Sequence, residues 1–555
     1  MSASIVPPLA AQADVFGRAL DARDPRFDGV FFVGIITTRI YCRPVCPARV
    51  SYRDHRRFFR SAAAAERDGF RPCLRCRPEL APGLALVDAI PRLARDAANR
   101  IAAGALNGHS VAELASDLGV SERHLRRALE REIGASPLEL AQTHRLLLAK
   151  RLLADTRLAI TRIAYASGFQ SLRRFNAAFR AQYRMAPSAL RATSRGGRGK
   201  LAELADDAPV RLNLAYRAPF AWDALLDFLG RDAVDGIDQV DGRSYARTVE
   251  LDGHSGFCSV ENAGARGGRR ETAPANAGTR HARRLANVCP SHVNVAISPS
   301  LVPVLMPLLT RLRRLFDLDA EPTVIDAHLA QGRLGALVAR RPGVRIPGAF
   351  DGFDVALRAI LRGRARGGRA GPASNDLPAR VAAALGEPIV TGIAALSRLA
   401  PSAARVADAG VERLDALGVP RHRAIAAIAV ARMVADRKLV LGPGSDPIET
   451  RRLLTEIDGV GDHLAQVIVM RALSWPDALP TTDVALQRAA RVKSASALEA
   501  CGEEWRPWRT YAALHLWLKD EARTSPLIGS SAAVTGARQT GSSASVAGAR
   551  QNFVA

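Results

Sequence analysis

Four cysteines in two close pairs constrain this chain more than any other feature. Cys42 and Cys46 are separated by three residues, Cys73 and Cys76 by two, and 26 residues lie between the pairs. Thiolates hold Zn2+ tetrahedrally at ~2.3 Å, so the intervening segment must fold back until both pairs meet. Spacing alone is satisfied by a purely structural zinc. Seven cysteines in 555 residues exclude a disulfide scaffold. The opening MSASIVPPLAAQADVFGRAL has neither a basic start nor an apolar core, and no apolar run reaches ~18 residues. These features predict a cytoplasmic protein with no membrane partner.

Charge sharpens the reading. The 78 basic side chains outnumber 54 acidic ones, for a net +24. Residues 39–77 hold eleven arginines against three acids, and 111–193 hold fourteen basic residues against seven. An excess concentrated in the N-terminal third makes double-stranded DNA the leading partner.

The residues around the cysteines, FFVGIITTRIYCRPVCPARV and GFRPCLRCRPE, resemble the zinc domain of the Ada family of methylphosphotriester repair proteins. The resemblance covers residues 12–82. It implies one Zn2+ held by Cys42, Cys46, Cys73 and Cys76, with Cys42 also the methyl acceptor. It further implies that Arg43 and Arg71 hold neighbouring phosphates. A zinc-bound thiolate is deprotonated at neutral pH and stays nucleophilic, so the chemistry suits the residues.

Two further units follow in 84–192. SVAELASDLGVSERHLRRALERE (110–132) has helical apolar spacing, Gly119 at a turn, and Ser121 before a basic helix. The pattern returns at AITRIAYASGFQSLRRFNAAFRAQY (159–183), with Gly168 and Ser171 in the same places, after a long helix at 138–154. The pair resembles the AraC-type DNA-binding module. That resemblance places Arg123, His124 and Arg127, then Gln170, Arg173, Arg174 and Asn176, toward DNA, and implies RNA polymerase as a partner.

After a linker at 194–208, alternating segments such as ARTVEL and HVNVAIS predict strands with a few helices over 209–330. A helical block over 331–523 carries LTEIDGVGDHLAQVIVMRALSWPDALPTTDVALQRA. Both parts resemble the AlkA family of 3-methyladenine DNA glycosylases II. Gly459 and Gly461 then offer amides to a phosphate at a helix N-terminus, and Asp483 matches the catalytic aspartate. Without that resemblance Asp483 reads as a helix N-cap. His463 stands where lyase relatives have lysine, which implies a monofunctional glycosylase. Trp517, Tyr511 and His463 are the expected base pocket, although His463 and Val467 replace family aromatics. A Gly/Arg-rich stretch at 263–284 and the tail 524–555 are expected to lack structure, a second such stretch at 362–375 is expected to interrupt the helical block, and Cys289-Pro290 is not expected to be a further alkyl acceptor.

The expected architecture is multidomain and mostly α with α+β parts: a small zinc domain, two helix-turn-helix units, an α+β subdomain and a helix-hairpin-helix glycosylase domain. The expected function joins alkylation repair with regulation of the response. The alternatives are a regulator whose glycosylase-like half binds DNA but is impaired, and a repair enzyme whose helix-turn-helix units only add affinity.

Overall fold

Parallel pairing of two short strands solves the problem posed by the cysteine spacing. In the computed structural model, which describes residues 9–48, 52–82, 92–195, 208–263, 291–363 and 372–524, β1 (Phe32–Ile35), β2 (Ile40–Cys42), β3 (Arg56–Phe59) and β4 (Arg71–Pro72) form a sheet of order β3-β1-β2-β4. Tyr41 pairs with Pro72, and the Cys73 amide donates to the Tyr41 carbonyl at 3.0 Å. The two cysteine pairs therefore leave neighbouring strands side by side. Phe16, Phe31 and Phe58 close the back of the module, with Phe16 stacked on Phe31 at 4.3 Å.

The helix-turn-helix units form as the caps dictate. Ser110 and Glu113 make a reciprocal capping box, and Ser121 Oγ accepts the His124 amide. Ser171 departs from expectation: its side chain makes no capping bond, although it does occupy the N-cap of the helix Leu172–Tyr183. Gly168 is required at its turn, with φ +85° and Asn107 packed where a Cβ would stand. The long helix Pro137–Asp155 joins the units and is also the platform for the zinc module. Thr143 donates to Glu66, Lys150 Nζ lies 2.6 Å from Glu79, and Arg77 pairs with Asp155.

The next strands, β5 (Val210–Ala215), β6 (Asp238–Val240), β7 (Ser244–Leu251), β8 (His254–Asn262) and β9 (His292–Ile297), make an antiparallel sheet of order β5-β9-β8-β7-β6. Its apolar face is covered by the helices Trp222–Arg231 and Leu305–Leu315 in one core that also takes in Ile163, Phe175, Phe179 and Leu190 of the second helix-turn-helix unit. Six helices from Gly352–Arg362 to Asp462–Ala472 form a second core. A third joins the helices Pro322–Leu329 and Gly335–Arg340 to the C-terminal helix Arg509–Thr524, so the expected boundary at 330/331 lies inside one core. Between sheet and helical body, Asp354 accepts from Arg358 and Arg247, and Asp232 pairs with Arg362 and Arg471. The Gly/Arg-rich stretches lie mostly outside the described residues, as do the linker, Cys289-Pro290 and nearly all of the tail.

Candidate functional site

The four Sγ atoms lie within 4.8 Å of one another, and all four cysteines are buried. Sulfurs on a tetrahedral Zn2+ stand about 3.8 Å apart given bonds of ~2.3 Å, so the cluster fits the ion with small adjustments. Amides support the sulfurs: Arg43 N–H donates to Cys76 and Arg75 N–H to Cys73, each at 3.4 Å. Crowding keeps the four from ionising together when no cation is present. Hydrogen bonding with Cys46 pushes the Cys42 thiol up and burial pushes up Cys76, while hydrogen bonds from Cys42 pull Cys46 and Cys73 down. Divalent charge is what lets four such groups ionise together. Cys42, at 9%, is the most exposed of the four.

Arg43 is not where the sequence suggests. It is 1% exposed, its guanidinium gripping the Asp28 carboxylate and the Cys76 carbonyl. It braces the zinc loop from inside and cannot reach a phosphate. Arg71 is half-buried on β4. Arg75, between the ligands of the C-x2-C pair, is exposed beside Cys76 and is the arginine of this loop open to solvent.

On the helix Glu122–Glu132, Arg123, His124 and Arg127 are exposed while Leu125 and Leu129 are fully buried. Gln170, Arg173 and Arg174 are exposed in the second unit, and Asn176 is half-buried beside Phe175. All but Asn176 of the expected DNA-facing residues are thus exposed, with Gln170 just ahead of the second helix rather than on it.

The hairpin glycines are exposed between the helices Pro447–Thr455 and Asp462–Ala472. Gly459 has φ +87°, and a Cβ there would stand 3.1 Å from the His422 carbonyl oxygen. Gly461 is the N-cap of the second helix, whose first-turn amides lack intrahelical acceptors. Asp483 is an N-cap, its Oδ1 accepting the Leu486 amide at 2.9 Å. Its other oxygen faces His463, with Oδ2 3.7 Å from Nε2 and both side chains about one-fifth exposed. The structure brings these two together but not the rest of the expected pocket. Tyr511 is 1% exposed and donates its hydroxyl to Asp317 at 2.7 Å, so it is a core residue rather than a wall for a flipped base. Trp517 lines a cavity of about 20 Å³ with Phe228, Pro347 and Leu518, enough for a single water. Neither Asp483 nor His463 lines that cavity.

A four-thiolate zinc module, paired helix-turn-helix units and a helix-hairpin-helix body together define a multidomain DNA-repair and regulatory protein. The chain belongs to the family of bifunctional transcriptional activator/DNA repair enzymes AlkA. It is 35% identical over 505 residues to the probable member of that family from Mycobacterium tuberculosis strain H37Rv, spanning 90% of this chain and 95% of the relative. Family models match as the metal binding domain of Ada over 16–79, a helix-turn-helix domain over 114–193, and the AlkA N-terminal domain over 211–351. DNA-3-methyladenine glycosylase 2 of Escherichia coli K12 is 27% identical, across 55% of this chain and 95% of its own. The bifunctional activator/repair enzyme Ada of the same organism is 50% identical over 60 residues, 11% of this chain and 17% of the relative. Among solved structures, a 3-methyladenine DNA glycosylase from Archaeoglobus fulgidus aligns at 17% identity with a TM-score of 0.43, covering 56% of this chain and 98% of its own. No helix among the described residues is long and apolar enough to cross a membrane.

Proposed function

We propose that the protein repairs methylated DNA by two chemistries and regulates transcription of the response. Cys42 Sγ takes the methyl group of a DNA methylphosphotriester: the methyl–oxygen bond breaks, an S–CH3 bond forms, and the phosphate leaves as a diester anion. Zinc bound at the four cysteines supplies the charge that keeps the acceptor thiolate ionised. Cys46, Cys73 and Cys76 hold the site, and the match of the surrounding residues to the metal binding domain of Ada supports Cys42 as acceptor. The thioether is not hydrolysed, so transfer is stoichiometric. The helix-turn-helix pair binds promoter DNA, and RNA polymerase is its partner there.

In the C-terminal half, Asp483 faces the sugar of an extruded nucleotide while the hairpin amides hold the backbone. Its charge stabilises the oxocarbenium ion as the bond from C1′ to the alkylated base breaks. Water adds to C1′ and its proton leaves to the carboxylate or solvent. No lysine stands at the hairpin for a Schiff base, which favours a monofunctional glycosylase acting on labile bases such as 3-methyladenine. The reading rests above all on the Oδ2 of Asp483, which takes no part in the capping bond and lies beside His463 of the hairpin. Its test is release of free base from methylated DNA: Asp483→Asn is expected to lose on the order of 10^2-fold or more while retaining DNA affinity. Equal release by both proteins would reduce Asp483 to a cap. A second experiment follows methyl uptake from phosphotriester DNA, which Cys42→Ser is expected to abolish. Burial of Tyr511 favours one alternative, a regulator whose C-terminal half binds DNA without cleaving. Absence of base release by the wild-type chain would select it.

A further inference from the structure

The oxygen of Asp483 that capping leaves over has an ionisable neighbour, His463. His463 occupies the first turn of the helix Asp462–Ala472, and its Nε2 lies 3.7 Å from Oδ2, the carboxylate oxygen left over from capping. Nineteen residues separate the two in sequence, and the hairpin and the following loop bring them face to face. Both are partly shielded from solvent, with exposures of 19% and 18%, so the charge on one bears directly on the other.

We infer that His463 is a positioning residue that sets whether the Asp483 charge is available to the reacting sugar. This inference rests on the glycosylase reading above. While the imidazole is neutral, Asp483 presents its full negative charge to the oxocarbenium ion. When Nε2 carries a second proton, the carboxylate becomes half of an ion pair, and its stabilisation of the sugar cation falls. Imidazolium also repels bases such as 3-methyladenine, which carry positive charge before cleavage. Cleavage of such a base needs no proton donor, because the bond pair neutralises the base as it leaves. Loss of the neutral imidazole therefore has no compensating gain for these substrates.

Asp483 favours the imidazolium, while the helix N-terminus on which His463 sits opposes it. Of the nearby charges, Asp462 is taken up by Arg451 at 2.6 Å, and Arg488, on the helix Val484–Ala490, is bound to Asp520 and also interacts with the Asp483 charge. On the helix Gly352–Arg362, which packs against the His463 helix, Asp354 and Arg358 pair with each other, and Arg362 pairs with Asp232. On the preceding hairpin helix, Arg452 is held by Glu449 and Glu456. The histidine range lies near pH 6.5, far above that of an aspartate alone.

The test is single-turnover release of 3-methyladenine and 7-methylguanine across pH 5 to 8.5, corrected for spontaneous depurination, with the full-length chain and His463→Gln. Glutamine keeps a hydrogen-bonding group of similar reach but cannot charge. Wild type is expected to lose about tenfold per pH unit below the histidine pKa, while His463→Gln stays within about twofold down to pH 5. A titration of the histidine ring carbons by NMR supplies a readout independent of turnover: Asp483→Asn should lower the pKa of His463 by removing its anionic partner. Superimposable pH profiles, or a His463 pKa unmoved by Asp483→Asn, overturn the inference while leaving the glycosylase reading intact. No base release by wild type at any pH overturns both.

Discussion

Arg43 sits in a run of arginines suited to DNA, yet its guanidinium turns inward onto Asp28. A buried pair of this kind is costly to break on one side, because the partner remains as an unpaired buried charge. Arg43→Ala is therefore expected to destabilise the zinc module by about 3–5 kcal/mol, read as faster zinc loss to a chromogenic chelator. Arg75→Ala, on the exposed loop between two ligands, should leave zinc retention unchanged and weaken DNA binding. If Arg43→Ala holds zinc as wild type does and loses DNA affinity instead, the inward guanidinium is not its working position. Nothing in the sequence separates these arginines, since burial depends on where the Asp28 turn folds back. The same holds for Tyr511, whose fate is decided by Asp317 nearly two hundred residues earlier. By contrast the four cysteines were fully legible, because their chemistry demands a single geometry whatever fold surrounds them.

Among elements, the helix Pro137–Asp155 has the most consequential placement. It carries one helix-turn-helix unit on each end and the zinc module on its side, with Lys150 Nζ reaching Glu79 and, at 3.3 Å, the Cys73 carbonyl. The length of this helix was legible, as were the two glycine turns and the hairpin. Its docking face was not. A lysine within LLLAKRLLA was the clue that a buried partner existed, but not which one. Glu66, on the helix Ala62–Arg67, lies fully inside this contact, accepting from Thr143 and Tyr41. Burial pushes its carboxyl up to about 7 from the ordinary carboxylate range. The sign follows from linkage: a raised carboxyl favours folding while protonated, so its contribution is full below the unfolded pKa and is lost as pH rises through about 7. The contact should weaken by on the order of 1–3 kcal/mol between pH 5 and pH 8. Glu66→Gln should remove most of that dependence. Amide hydrogen exchange in the helix Ala62–Arg67 measures it; equal pH dependence in both proteins would assign the effect elsewhere.

At the scale of the whole molecule, the modules are not beads on a string. The second helix-turn-helix unit shares its core with the five-stranded sheet, Arg162 bonds the Pro299 carbonyl, and the zinc module rests on the linking helix. The sequence showed the order of these parts but not the shared cores, because pattern reading finds which face of an element is apolar and not which distant element covers it. A body joined this way constrains how methylation could alter DNA binding, since large rearrangement would expose several cores. Charge offers a route that needs none. Four thiolates and one Zn2+ carry a net charge of −2, and methylation of Cys42 leaves −1 beside a surface that must approach phosphates. Affinity for the specific promoter should therefore rise on methylation. Because the relieved term is electrostatic repulsion at the protein surface, the gain should be largest at low salt and shrink as the Debye length falls from ~30 Å at 0.01 M to ~8 Å at 0.15 M. Arg71→Ala should lower both affinities and preserve most of their ratio. The measurement is promoter binding by methylated and unmethylated full-length protein across that salt range. Equal affinities at 0.01 M, or a ratio independent of salt, would show that methylation acts through something other than charge.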